Sequence, residues 1–513
     1  MIKISHHAII SALMLGACIA SAQTAAQTQE QTPAPVQAPN VVPTAAPTAA
    51  PALQPIHQPP SGPPIEQWLR MAGLPLESTS VFIQDVSALE PLIAFNSRQA
   101  QNPASLMKLV TTFAALELLG PTFTWKTQVS TQGEQKGDAL RGNVFIKGGG
   151  DPTLKLQNAW LMLRQLRLQG IREIRGDLVI DRSAIAPETA DPGQFDGEPL
   201  RCYNVPPDAL AIAAKCTGFM FRYDLLADRW RVTADPAPLG MQVEGDVAVG
   251  PGLCGDWRSN LTVQFDTEAR PPRAIFGGSI PAACGDQQLF RSFFTHRQFS
   301  ASVLRQLWEG SGGRLTGQVR DGAAPDNVRV LAEAVSPQLS EVIRDINKGS
   351  LNLAARSLFV ALGANGNAGT ANGPASPERS RAAVARWLAS RGWDMPELVL
   401  DNGSGLSRAE RIAAANLGRL LVGAYNSAVM PEFISSLALV GQDGTMQKRL
   451  RGSTVAGAAH IKTGSLKDVR AIAGYVLSVT GRRFAVVSIT NGEALLGTQL
   501  IYDQLLSWIR ENG

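Results

Sequence analysis

Asn102-Pro103-Ala104-Ser105-Leu106-Met107-Lys108-Leu109-Val110-Thr111-Thr112-Phe113 is the stretch from which the rest of the chain can be read. Asn102 is a good helix cap and Pro103 suits a first helical turn, so a helix opens here. Leu106, Leu109, Val110, Phe113, Leu116, Leu118 and Leu119 cover more than one of its faces, which predicts a helix deep in a core. Gly120-Pro121 ends it. Ser105 and Lys108 stand three apart, on one face of this helix. A serine hydroxyl is a weak nucleophile and needs a base. A lysine on an apolar helix is desolvated, which disfavours its ammonium and makes the neutral amine available as that base. The competing reading is a lysine at the rim with its head in water.

Working outward, two further clusters matter. Ser350-Leu351-Asn352 reads by itself as a cap for the helix that follows. Lys462-Thr463-Gly464, followed by Ser465, reads by itself as a β-edge lysine beside a turn glycine. Gly464 would alternatively let a substrate backbone approach closely. Taken in order, S-x-x-K, S-x-N and K-T-G form the signature of penicillin-binding proteins and serine β-lactamases.

The rest of the chain frames these clusters. It has 513 residues, 18% charged, with a formal net charge of +4. That length predicts more than one domain. Lys and Arg are not gathered into a basic block, so no nucleic-acid partner is expected. Lys3, the apolar run Ala8 to Ile19 and the small residues Ala20-Ser21-Ala22 predict a signal peptide over 1–22, cleaved before Gln23, and a periplasmic protein. The alternative is lipid anchoring at Cys18, through an imperfect lipobox Leu15-Gly16-Ala17-Cys18. Residues 23–62, rich in Ala, Pro, Gln and Thr, read as a disordered linker.

Ile65 to Ala72 reads as a short helix, and Val81-Phe82-Ile83 with Leu92 to Phe95 as a strand hairpin. From 126 to 324, short apolar runs such as Val144-Phe145-Ile146 and Leu178-Val179-Ile180 alternate with Gly and Pro turns. This predicts a largely β insertion with one amphipathic helix near Trp160 to Leu168. Helical texture returns at Leu339 to Leu362, Pro377 to Arg391 and Ala413 to Tyr425. Strands follow at Ala471 to Val479 and Arg483 to Thr490, then a helix from Leu495 to Arg510. Strand-rich ends around a helical middle predict an α/β core closed by both termini. Of five cysteines, Cys18 goes with the export segment. Cys202, Cys216, Cys254 and Cys284 remain, and in an oxidising compartment they predict disulfides, with three pairings open. No C-x-x-C spacing and few histidines argue against a metal.

Pro103 to Thr112, Gly148-Gly149-Gly150-Asp151-Pro152-Thr153-Leu154, Asp401-Asn402-Gly403-Ser404-Gly405-Leu406-Ser407-Arg408 and Lys462 to Leu466 together resemble one family. It is the class C low-molecular-mass penicillin-binding proteins, the D-alanyl-D-alanine carboxypeptidase/endopeptidase or penicillin-binding-protein-4 type. The resemblance spans about 64 to 513. It implies a multidomain α/β chain: a transpeptidase/β-lactamase-like domain of antiparallel sheet and helices (63–125 and 325–513), split by a mainly β insertion (126–324). It implies that Ser105 forms an acyl-enzyme with D-Ala-D-Ala peptides and with penicillin, Lys108 takes the serine proton, and Ser350 passes a proton to the leaving amine. Asn352 would hold the substrate amide, Lys462 and Thr463 its terminal carboxylate, and the N–H groups of Ser105 and Ser465 the oxyanion beside Gly464. It implies the pairs Cys202–Cys216 and Cys254–Cys284. It also implies an acidic residue before Cys202 that binds the free amine of a wall peptide: Glu198, with Asp196 second. The partners implied are peptidoglycan stem peptides and cross-links, with β-lactams as inhibitors and no cofactor; loose membrane association and oligomeric state stay open.

Two positions depart from the family pattern. Leu351 stands where an acid is common, and Arg356 stands where the next helix commonly carries one. Rival readings are a serine β-lactamase, for which no deacylating glutamate is found, and a non-enzymatic penicillin-sensing or wall-binding protein. Only His296 and His460 lie in the folded part, and H-E-x-x-H is absent, which disfavours a Ser-His-Asp triad or a zinc peptidase. Gly403-Ser404-Gly405 lacks the G-x-S-x-G spacing and reads as a tight loop.

Overall fold

A computed structural model describes residues 62–187, 191–365, 373–493 and 495–513. The expected export segment, Cys18 and nearly all of the linker lie outside the described residues. The first long strand, Thr79–Asp85, lies antiparallel to the last, Arg483–Asn491, with Thr79 opposite Thr490 and Asp85 opposite Phe484. They belong to a six-stranded sheet in the order Ile93–Phe95, Thr79–Asp85, Arg483–Asn491, Val469–Leu477, Ala459–Leu466, Ala438–Leu439. Every neighbouring pair in it is antiparallel.

Side chains alternate across such a sheet, so each strand feeds two layers. Phe82, Ala473 and Val487 point into one core with helix Met107–Leu119 and Leu358, Phe359, Leu417 and Leu420. Val81, Ile83, Ile472 and Val486 point into another, under Leu69 of helix Ile65–Met71 and Leu505 and Ile509 of helix Thr498–Asn512. Both faces are covered, which is why Phe484 to Val487 is continuously apolar rather than alternating. Each buried aliphatic or aromatic side chain contributes about 1.5–3 kcal/mol.

The middle of the chain has its own core, built around Ile146, Leu163, Phe219, Phe276 and Trp308. It contains a seven-stranded, a five-stranded and a four-stranded sheet. Its entry strand Lys126–Thr131 pairs antiparallel with its exit strand Arg329–Val335. The expected helix is present as Leu156–Leu168. A second helix, His296–Gly310, was not anticipated, although Thr295 and Gln298 spell its capping box. The disulfides are Cys202–Cys216 and Cys254–Cys284, the pairing the resemblance implied. Closing loops of this length stabilises by about 3 kcal/mol each.

Three local differences from the sequence reading bear on the site. Met107–Leu119 is preceded by a tight 3₁₀ turn, Ala104–Leu106, instead of starting directly after Pro103. The Oδ1 of Asn102 accepts the Ala104 N–H at 2.9 Å, so the cap serves that turn. The helical texture from 339 to 362 is two helices, Leu339–Gly349 and Asn352–Asn365, broken where Ser350 adopts φ 56° and ψ 39°. The K-T-G residues, just ahead of the two C-terminal strands, lie within a strand of their own, Ala459–Leu466, and not in a turn beside it. Among the described residues, no helix is long and apolar enough to cross a membrane.

Candidate active site

The site lies where three elements converge: the turn Ala104–Leu106 running into its helix, the break at Ser350, and the strand Ala459–Leu466. Ser105, in that turn, and Lys108, in the first turn of the helix, stand three residues apart on one face. Ala104, just before the nucleophile candidate, has φ +47°, a conformation costly for a residue with a Cβ. Surrounding contacts hold it there. Gly464 brings the strand against this turn, since a Cβ on it would sit 2.7 Å from the Pro103 carbonyl oxygen. Gly405, at φ +80°, lies so close that a Cβ would be 1.9 Å from the Ala104 oxygen and 2.6 Å from the Ser105 nitrogen.

Lys108 is fully buried. Its Nζ lies 3.0 Å from Ser105 Oγ, 2.7 Å from Asn352 Oδ1 and 2.5 Å from the Ser404 carbonyl oxygen. Burial pushes its pKa well below the usual lysine value, and the nearby Lys462 pushes the same way against the opposing pull of Glu410. A neutral amine has two protons and one lone pair. Asn352 Oδ1 and the Ser404 carbonyl are pure acceptors and take the two protons. The lone pair is left facing Ser105 Oγ, the orientation a base requires.

Lys462 is also fully buried, and burial brings its pKa down to about 7. Its Nζ donates to Ser350 Oγ at 3.0 Å and to the Thr463 carbonyl at 2.7 Å. The left-handed Ser350 makes this contact possible by turning the chain between its helices. Thr463 is half-buried and Ser465 is exposed on the same strand.

Sequence reasoning found the loop Asp401 to Arg408 by its resemblance and read Gly403-Ser404-Gly405 as a tight loop, but it missed the loop's contacts with the Lys108 helix and the part played by Glu410. The Gly403 and Ser404 carbonyls receive Thr111 Oγ1 (2.6 Å) and Lys108 Nζ. The preceding N–H groups of Asp401, Asn402 and Gly403 all donate to Glu410 Oε1, at 3.4, 3.1 and 2.8 Å. Glu410 is fully buried, and burial raises its carboxyl to about 7. No pattern in the sequence points to it, because its partners are backbone amides. Glu410→Ala strands those N–H groups, at about 1–3 kcal/mol each. Acylation is expected to slow by roughly tenfold or more, while Glu410→Gln, which keeps the acceptor, remains near wild type. Second-order acylation rates beside melting temperatures check this; an alanine variant that acylates normally contradicts it.

Asn347 ties the two sides together. Buried, it donates to Thr112 Oγ1 (3.2 Å) on the Lys108 helix and to Ser436 Oγ (2.8 Å). The two departures from the family pattern face elsewhere. Leu351 is exposed. Arg356 reaches toward the Asn204 and Val205 carbonyls at 3.5 and 3.4 Å, beside a small cluster of Leu353 with Val205 and Cys216. It joins the helix to the disulfide loop of the insertion.

Five sequence-predicted residues therefore meet: Ser105, Lys108, Ser350, Asn352 and Lys462. Glu198 is not among their contacts. It is exposed, and its carboxylate accepts from Arg201 Nε at 3.2 Å. Asp196 is held within its loop by Tyr203, Asn204 and the Glu198 N–H. The same loop, through Asp191, Phe195 and Asn204, borders a cavity of about 470 Å³ whose other wall includes Asn402, Leu406 and Arg408. Among the described residues, no group of three or more His, Cys, Asp or Glu is arranged to hold a metal.

The sequence model of the D-Ala-D-Ala carboxypeptidase 3 (S13) family matches residues 65–511. A D-alanyl-D-alanine carboxypeptidase of Actinomadura sp. is 27% identical over 81% of this chain and 78% of its own length. The D-alanyl-D-alanine carboxypeptidase DacB of Haemophilus influenzae is 26% identical over 82% of this chain and 86% of its own. The crystal structure of penicillin binding protein 4 from Haemophilus influenzae covers 87% of this chain and 100% of its own, with a TM-score of 0.72 at 23% identity. The same protein complexed with a β-lactam gives a TM-score of 0.69, also at 23% identity.

Proposed function

Since the chain belongs to the D-Ala-D-Ala carboxypeptidase 3 (S13) family, we propose that its serine-peptidase chemistry runs through Ser105, with Lys108 as base. The enzyme is a serine-type D-Ala-D-Ala carboxypeptidase that binds penicillin. The observation that supports these roles is the set of three short contacts around Lys108 Nζ.

Lys108 takes the Ser105 proton as Oγ attacks the carbonyl carbon of the penultimate D-alanine. The oxyanion sits against the N–H groups of Ser105 and Ser465; a donor of this kind is typically worth about 3 kcal/mol in the transition state. Ser350 relays a proton from the lysine pair to the leaving nitrogen as the C–N bond breaks. Asn352, its Oδ1 engaged by Lys108, keeps its Nδ2 for the substrate amide. Lys462 and Thr463 take the terminal carboxylate. Water then attacks the acyl-enzyme and Ser105 regains its proton.

The proposed substrates are peptidoglycan stem peptides and their cross-links, met in the periplasm, with β-lactams acylating the same serine. The division into a transpeptidase-like domain (63–125 and 325–513) and an insertion (126–324) belongs to this proposal; the separate cores support the division, while the exit strand Arg329–Val335, whose Leu331 and Ala332 pack in the insertion's core, carries its end past 324. So does Glu198 as reader of a substrate amine, with Asp196 second: a carboxylate holds an ammonium by charge-assisted hydrogen bonding. Glu198→Gln is expected to impair cleavage of a peptide with a free side-chain amine by roughly tenfold more than cleavage of its acetylated analogue. Equal effects on both peptides remove Glu198 from the site. Measuring hydrolysis of a D-Ala-D-Ala peptide and of penicillin side by side tests the reading as a whole. Rapid peptide release with a persistent penicillin adduct supports it; rapid turnover of penicillin alone supports a β-lactamase.

A further inference from the structure

The carboxylate subsite proposed above uses Thr463, and Thr463 has a partner. Its Oγ1 donates to Oγ1 of Thr445 at 2.9 Å. Thr445 sits in the loop between strands Ala438–Leu439 and Ala459–Leu466, and its neighbours on both sides are fixed. Asp443 pairs with Lys348 and accepts the Leu439 N–H at 2.7 Å. Gly444 lies against the end of helix Leu339–Gly349, where a Cβ would be 2.8 Å from the Lys348 carbonyl oxygen. Met446 is fully buried, and its carbonyl accepts the Gly441 N–H at 3.1 Å. The loop is thus clamped to the helix that delivers Ser350 and to the strand that carries Lys462. Thr445, between these anchors, is exposed.

A hydroxyl carries one proton and two lone pairs. Within the chain itself the Thr463 proton is directed at Thr445, and among the described residues the proton of Thr445 is directed at no acceptor; a carboxylate is the better acceptor for both, and each hydroxyl can rotate to donate its one proton to it. Two hydroxyls this close to each other, on the strand of a buried lysine, suit a ligand with two acceptor oxygens and a negative charge. We propose that Thr445 is a substrate-binding residue, whose hydroxyl joins that of Thr463 in receiving the carboxylate of the C-terminal residue of the peptide. The assignment rests on the carboxypeptidase reading. It gives the preference for a free C-terminus a second donor, delivered by a loop outside the three motifs.

The test compares two peptides identical except that one ends in D-Ala-D-Ala as the free acid and the other as the carboxamide. Thr445→Val keeps the shape and removes the hydroxyl; Thr445→Ser keeps the hydroxyl. A hydrogen bond to a charged group sets the scale at roughly tenfold or more. The valine variant is expected to lose at least about tenfold in kcat/KM on the acid and less than about twofold on the carboxamide, while the serine variant stays near wild type. A valine variant with unchanged preference for the acid, or one that loses equally on both peptides, overturns the assignment while the activity of the wild type stands. A wild-type enzyme that cleaves neither peptide and takes no label from penicillin overturns the carboxypeptidase reading, and the assignment with it.

Discussion

Lys108→Arg is expected to slow acylation by roughly a thousandfold or more. General-base assistance by a positioned group is worth about 10²–10⁴-fold, and a guanidinium has no accessible neutral form with which to provide it. Arginine also misfits the position. Lys108 Nζ is enclosed by Asn352, Ser404 and Ser105, and a planar five-donor group adds protons where the site holds only two acceptors beside the nucleophile. Lys108→Ala is expected to be as inactive but better tolerated by the helix, since alanine is the best helix former.

The pH dependence separates charge from packing. Wild-type kcat/KM is expected to rise with pH as Lys108 loses its proton, at a pH well below the ordinary lysine range. It is expected to fall again as Lys462, brought down to about 7 by burial, loses the charge proposed to bind the carboxylate. The two lysines repel, so these limbs are properties of the pair. In Lys108→Arg the rising limb is expected to vanish. An arginine variant with near-normal turnover and an unchanged profile shows that Lys108 is only structural.

What could be read in the sequence follows from how each feature is encoded. The helix after Ser105 was legible because Leu109, Val110, Phe113 and Leu116 leave no polar face, and all are buried. The closure of the sheet by both termini was legible because Val81 to Ile83 and Phe484 to Val487 are apolar runs bounded by turns. The strand Ala459–Leu466 was legible only as an edge at Lys462, without its extent. The positions on one face are His460, Lys462 and Gly464, so the apolar alternation that marks a half-buried strand is missing there. The break at Ser350 was half legible: Ser350-Leu351-Asn352 reads as a cap for the helix that follows, but helical texture runs through it from Leu339 to Leu362, and the left-handed residue is a serine rather than a glycine. Glu410, the Ser404 carbonyl and Thr445 act through backbone groups or a loop hydroxyl, which leave no spacing to find. The helix His296–Gly310 did carry a signal, its Thr295–Gln298 capping box, hidden within a stretch read as β.

The account stands on Ser105 as the nucleophile, and Ser105→Ala is expected to have the largest effect of any substitution. It removes the atom that forms the acyl bond, so peptide turnover is expected to fall by about 10⁴-fold or more. The fold should be preserved, because Ser105 is followed by a helix whose cap and core contacts do not involve its hydroxyl. The direct measurement is a peptide map after exposure to labelled penicillin. The strained β-lactam amide opens onto the serine and leaves an ester that water removes slowly. Mass spectrometry is expected to find one penicilloyl group, on the peptide containing Ser105, and none in the Ser105→Ala protein. Labelling that survives Ser105→Ala unchanged, or that maps to another residue in the wild type, contradicts the account.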